Sequence, residues 1–215
     1  MMADEIAEGV RVRLLAADDW DEVVALEARA YSASGLSEGR AALESRGRAS
    51  PTTCFAVEHR GRLGGYLLAL PYPLHACPDL SRPEAAGVRS TNMHAHDLVI
   101  AEELRGRGLA PLVLGHLART ARLRRFETIS LVAVRGSEVL WAPLGYRAEP
   151  EVELPASYGP QAVYMSMSLR TAPPAAPPLP AAPTPTALLA AAGSGAPRHP
   201  HGPFTGSPLK DEVVR

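Results

Sequence analysis

The stretch Asn92–Arg122 constrains the fold more than any other part of this chain. Asn92-Met-His-Ala-His-Asp-Leu-Val-Ile100 reads as a strand, Ala101–Arg107 as a turn, and Gly108–Arg122 as a helix of about four turns with Leu109, Leu112, Val113, Leu117 and Ala121 on one face. Pro111 suits the first turn of that helix, where its missing N–H costs nothing. A strand feeding directly into an amphipathic helix needs a sheet to lie in and a sheet face to cover.

The flanking segments supply that sheet. Val10-Arg-Val-Arg-Leu-Leu alternates as a strand, and Asp18-Asp-Trp-Asp21 offers an acidic first turn to a helix carrying Val23, Val24, Leu26 and Ala30. A second helix is expected over Ser37–Arg46. Thr53–Glu58 and Leu63–Leu70 flank the turn His59-Arg-Gly-Arg62 as a hairpin. Thr128–Val134 reads as a buried strand, Ser137–Leu144 as a short helix, and Tyr146–Glu149 with Ala162–Leu169 as a closing pair of strands. The whole predicts an α+β fold, with a mixed, mostly antiparallel central sheet flanked by helices. Between the hairpin and the long strand, Pro71–Thr91 has no period, and loops of that length in compact domains are often functional, so it is a candidate substrate lid.

Beyond Leu169 the pattern stops. Of the 21 prolines in the 215 residues, 11 fall in residues 171–215, a segment whose only aromatic is Phe204 and which cannot bury enough apolar surface to offset its ordering entropy. The expected organisation is therefore an N-terminal extension over 1–9, one domain over 10–170, and a disordered Pro/Ala-rich tail over 171–215. The tail is a spacer or a docking segment for a proline-recognising partner.

Charge and cysteines narrow the function classes. A formal net charge of -1 provides no electrostatic pull toward nucleic acid or an anionic membrane. No window approaches the roughly 18 uninterrupted apolar residues of a membrane span, and the acidic N-terminus does not read as a signal peptide. Cys54 and Cys77 lack the spacing of a zinc site or a disulfide scaffold, so no metal and a reducing, cytoplasmic location are expected.

The chemistry-bearing residues cluster on the strand–turn–helix unit. Glycines at 106 and 108 let backbone N–H groups converge on an anion, the helix N-terminus adds partial positive charge, and Arg105 and Arg107 add formal charge, an arrangement suited to a pyrophosphate. A dinucleotide-binding turn is a poorer match, because G-x-G-x-x-G spacing and an acidic residue on a following strand are missing. His94 and His96, two residues apart, project from one face of the strand, with Asp97 expected on the other. Imidazole titrates near neutrality, as removal of a proton from an ammonium requires.

With these residues in place, residues 10–169 resemble the GNAT acyltransferases. Their acetyl-CoA signature is Arg or Gln, two residues, Gly, one residue, then Gly or Ala, and Arg105-Gly-Arg-Gly-Leu-Ala110 satisfies it. The order of elements is similar, and so is Gly145-Tyr146 after the short helix. The resemblance implies acetyl-CoA as co-substrate, held by Arg105, Gly106, Arg107, Gly108, Leu109 and Ala110, with the backbone of Leu98, Val99 and Ile100 along the pantetheine arm. His94-Ala-His96 is similar to the His-x-His pair of arylalkylamine (serotonin) N-acetyltransferases, which implies a catalytic or proton-relay role in acetylating a primary amine. Homodimers through the closing strands are common in this class.

Two departures stand beside the resemblance. Where the family often carries a tyrosine that protonates the CoA thiolate, this chain has Trp141, whose indole is no acid, leaving Tyr146, Tyr158 or Tyr164 to approach from elsewhere. The frequent Asn after the fifth strand is replaced by Val134-Arg-Gly-Ser137. Two further readings stay open: a non-catalytic GNAT-fold module that binds acetyl-CoA or recruits a partner, and an acetyltransferase acting on protein lysines or N-termini. Acceptor choice would rest with the loops Tyr31–Ser37 and Pro71–Thr91.

Overall fold

A computed structural model describes residues 6–7, 9–85 and 87–170; the expected tail and its docking role lie outside the described residues. Strands β1 (Ile6–Ala7), β2 (Val10–Leu14), β3 (Phe55–His59), β4 (Arg62–Pro71), β5 (Asn92–Ile100), β6 (Thr128–Ala133), β7 (Arg147–Ala148) and β8 (Val163–Ser168) form one sheet. Their order is β1-β2-β3-β4-β5-β6-β8-β7. Every neighbouring pair is antiparallel except β5–β6, which the intervening helix forces to be parallel. The expectation of a mixed, mostly antiparallel sheet flanked by helices thus holds.

Helices α1 (Trp20–Tyr31), α2 (Arg40–Ala49), α3 (Leu109–Leu123) and the short α4 (Glu138–Trp141) cover the sheet. α1 buries Val23, Leu26, Glu27 and Tyr31, a stripe at helical spacing, and its start is tied to β2 by Arg13, whose guanidinium donates to both Asp19 oxygens at 2.7 and 2.8 Å. α3 buries Leu109, Val113, Leu117 and Ala121 and sets His116 edge-on against Phe55 of β3, ring centroids 4.7 Å apart. α1 and α2 approach closely because Gly47 has no side chain; a Cβ there would sit 2.4 Å from the Trp20 ring.

α2 starts three residues later than the expected Ser37. Gly39 adopts φ 77°, ψ 165°, which is not helical, and the residues before it turn toward α1 instead: Ser37 Oγ and the Glu38 N–H donate to the two carboxylate oxygens of Glu27 at 2.6 and 2.8 Å. Glu38 is thereby held outside the helix.

β5 is buried along its whole length and carries one irregularity. Leu68 pairs with Asp97 and Ala69 with Ala95, so His96 is the extra residue of a bulge. The bulge corrects the expected alternation at Asp97. His96 reaches Glu38 and Arg46, which precede and lie within α2, while its neighbour Asp97 reaches Tyr31 of α1, a helix packed against α2. Asp97 accepts from Tyr31 at 2.9 Å and Tyr66 at 2.5 Å, a structural pairing of α1, β4 and β5.

Candidate functional site

The β5–β6 ladder is short. Asn92 pairs with Thr128, Met93 with Ile129 and His94 with Ser130, and there the pairing ends although β5 runs on to Ile100. Residues Ala95–Ile100 therefore face a gap in the sheet whose apex is His94 and Ser130 and whose mouth leads to the turn before α3. In that turn Gly106 and Gly108 take φ 73° and 74°, values costly to any residue with a Cβ, and Gly108 caps α3. The first-turn amides of α3 have no intrahelical acceptor, so the N-terminus carries partial positive charge toward the turn. Arg107 is exposed, whereas the Arg105 side chain bends back to donate to the Ile100 carbonyl at 3.3 Å. A cleft of about 580 Å³ beside the turn is lined by Arg29, His59, Arg60, Arg62 and Arg107 but by neither His94 nor His96.

At the apex both histidines are completely buried, with ring centroids 6.1 Å apart. His94 Nδ1 lies 3.0 Å from Ser130 Oγ, which in turn accepts from Asn92 Nδ2 at 2.8 Å. Burial, with smaller contributions from His96 and Arg46, holds the His94 pKa well below the ordinary value of 6.5, so the ring is neutral at physiological pH. Tyr164 of β8 stacks beside it at 6.4 Å and Tyr72 lies at 6.2 Å. His94 Nε2 and His96 Nδ1 have no hydrogen-bond partner among the described residues. A buried polar atom left unpaired costs roughly 1–3 kcal/mol, so these two ring nitrogens are the buried atoms of the apex with hydrogen-bonding capacity to spare.

The loop joining β4 to β5 packs down beside this apex. Cys77 and Leu80 are buried; the His75 N–H donates to Tyr164 Oη at 3.0 Å, Leu80 N–H to Ser157 Oγ at 3.2 Å, and Tyr158 Oη to the Pro78 carbonyl at 3.0 Å. Arg46, with no exposed surface, donates to the carbonyls of Asp79 and Arg82, both at 2.8 Å, to Glu84 at 2.8 Å and to Glu38 at 3.0 Å. Burial pushes both cysteine thiols up to about 12, so neither is a nucleophile at neutral pH.

Comparison with known proteins supplies the decisive observation: the model described as acetyltransferase (GNAT) family matches residues 20–146. The chain belongs to the GNAT family. GNAT-like solved structures share its fold at low identity. The GNAT-like decarboxylase GphF in complex with isobutyryl-CoA is 19% identical with a TM-score of 0.64, covering 74% of this chain and 100% of that one. N-acetylglutamate synthase from Neisseria gonorrhoeae, complexed with coenzyme A and N-acetyl-glutamate, is 18% identical with a TM-score of 0.60, covering 79% of this chain and 37% of that one. The ribosomal-protein-S18-alanine N-acetyltransferase from Escherichia coli is 12% identical with a TM-score of 0.54, covering 78% and 98%. No curated protein matches significantly.

Within this GNAT domain the three tyrosines named from sequence separate by position. Tyr158 spends its proton on Pro78, Tyr146 stacks edge-on against Trp141 at 5.5 Å, and only Tyr164 stands at the His94 ring; burial raises the pKa of Tyr146 and Tyr164. The indole Nε1 of Trp141 is buried without a hydrogen-bond partner among the described residues. Sequence reasoning missed Glu38, Arg46 and Ser130. One signal was available: Ala42, Leu43 and Arg46 share the inward stripe of α2, an unusual place for an arginine. Among the described residues no helix is long and apolar enough to cross a membrane, and no group of three or more His, Cys, Asp or Glu is placed to hold a metal.

Proposed function

We propose that the protein transfers an acetyl group from acetyl-CoA to a small primary amine by direct attack. The observation that carries this reading is the parting of β5 from β6 at His94 and Ser130, between the glycine turn and the two buried imidazoles. In this reading the amides of Arg105–Ala110 hold the pyrophosphate, Leu98, Val99 and Ile100 run beside the pantetheine arm, and the thioester reaches the apex. One of the two imidazoles takes a proton from the ammonium; the freed nitrogen attacks the carbonyl carbon, the C–S bond breaks, and the thiolate takes the second proton that the nitrogen releases. No covalent enzyme intermediate is needed. The His-x-His likeness to arylalkylamine N-acetyltransferases supports the same acceptor class, and the packed loop over residues 75–84 favours a small acceptor over a protein surface.

The test is an amine panel with free CoA thiol as readout. Thiol release that depends on a small amine, survives deletion of residues 171–215 and falls at least about a hundredfold in His94→Ala/His96→Ala supports the reading. Thermal stabilisation by acetyl-CoA with no thiol release on any amine would replace it with a non-catalytic module. A second reading, loss of CO2 from a carboxylated acyl-CoA, is favoured by the complete burial of both histidines, since that reaction needs no second substrate to reach them. CO2 release from the acyl-CoA without an amine, with a proton taken up at the carbon that loses it, would establish it.

A further inference from the structure

Glu38 is fixed from three directions. Its N–H donates to Glu27 Oε1 at 2.8 Å, its Oε2 accepts from Arg46 Nη2 at 3.0 Å, and its Oε1 lies 2.7 Å from His96 Nε2. The side chains of Glu38, Arg46 and His96 have no exposed surface. A carboxylate oxygen at 2.7 Å requires His96 Nε2 to carry the proton. The 3.4 Å approach of Arg46 Nε–H to the same nitrogen is then a contact between two donors and not a hydrogen bond, because a protonated Nε2 has no lone pair left to accept with. With Nε2 donating, the lone pair of the neutral ring sits on Nδ1, the buried atom that has no partner among the described residues.

We propose that Glu38 is a positioning residue that locks His96 in its Nε2–H tautomer and so presents Nδ1 as the proton-accepting atom of the site. The assignment rests on the proposed acetyl transfer only in where the proton comes from. There an ammonium N–H bond breaks, an Nδ1–H bond forms, and the resulting imidazolium is neutralised through Nε2–H by the Glu38 carboxylate. The proton leaves to solvent after product release. The charged and titratable groups around the ring are Glu38, Arg46, Glu84 beyond Arg46, and the neighbouring His94. Arg46 also grips the carbonyls of Asp79 and Arg82, so the carboxylate is held in place by the same guanidinium that fastens the loop.

The tautomer can be read directly from long-range 1H–15N correlation spectra of the 15N-labelled full-length chain at neutral pH without ligand, the His96 peaks being assigned by their loss in His96→Gln. An Nε2–H pattern is expected; an Nδ1–H or imidazolium pattern overturns the proposal, with no variant of Glu38 needed. In Glu38→Leu the pattern is expected to become mixed or to switch, and an unchanged Nε2–H pattern in a folded Glu38→Leu also overturns it. Glu38→Gln keeps an acceptor for Nε2–H but removes the charge. It should retain the tautomer, lose about tenfold or more in kcat, and hold KM for acetyl-CoA within about twofold. If the Nε2–H pattern is found and no amine supports turnover, acetyl transfer to amines fails and the role of Glu38 stands. Amine-dependent turnover with the opposite tautomer leaves the reaction standing and removes Glu38 from it.

Discussion

His94 Nδ1 and Ser130 Oγ meet at 3.0 Å across the last residue pair of the β5–β6 ladder. The contact closes the sheet on one side and, on the other, sets an imidazole at the point where the strands separate. Several measurable consequences come from this apex and its supports.

His94 should make the fold acid-sensitive. Unfolded, its ring takes a proton as pH falls through 6.5; folded, burial and the nearby His96 and Arg46 delay that to well below 6.5. The unfolded state therefore binds more protons in that interval, and stability present above 6.5 is lost as pH drops. Melting temperature followed from pH 7 down to about 5 should fall, and His94→Gln should flatten the slope. An equal slope in both proteins would show that the depressed pKa is not the cause.

The two glycines around α3 should respond in opposite senses to a methyl group. Gly108 holds φ 74°, so Gly108→Ala strains the cap and, if the turn binds pyrophosphate, should weaken coenzyme A binding by about tenfold or more in calorimetric titration. Gly115 is exposed mid-helix with nothing within 4 Å of an added Cβ, so Gly115→Ala should stabilise by about 0.5–1 kcal/mol without changing binding.

Asp97 accepts from two buried tyrosyl hydroxyls, and removing it takes that carboxylate away from both. Asp97→Ala should cost about 3 kcal/mol or more in urea unfolding, against roughly 1–2 kcal/mol for Tyr31→Phe, which takes away only one donor. Equal losses for the two variants would argue that Asp97 has other supports.

Arg46→Met should be costlier than its conserved volume suggests, because it leaves Glu38 facing Glu84 with their shared cation gone. A loss of about 3–5 kcal/mol is expected, together with faster amide exchange over residues 76–84, whose carbonyls at Asp79 and Arg82 lose their donor. Exchange unchanged in that segment would mean that Ser157, Tyr158 and Tyr164 hold it alone.

What could be read from sequence was local. β5 lies over Asn92–Ile100 as expected, and α3 falls within one residue of its amphipathic span, because one-sided burial imposes a period on the helix. α2 was displaced by Gly39, whose left-handed φ is a property that the pattern Ser37–Arg46 does not announce. Asp97 was misdirected for a similar reason: one bulged residue shifts every later side chain by a half-period, and nothing in His-Ala-His-Asp marks a bulge. Glu38 meets His96 across 58 residues and Arg46 grips a loop more than 30 residues away, contacts that only the fold creates. The glycine turn, whose backbone conformation is written in its residue types, needed no such help.

Three paired residues are a thin seam between the two halves of an eight-stranded sheet. An extended chain of amides lying against Ala95–Ile100 would act as a missing stitch, bonding to the strand edge that β6 leaves bare. The co-substrate would then be mortar as well as reagent. Every tenfold rise of its concentration above Kd would add about 1.4 kcal/mol to the fold, and the seam would be strongest in a cell rich in the donor.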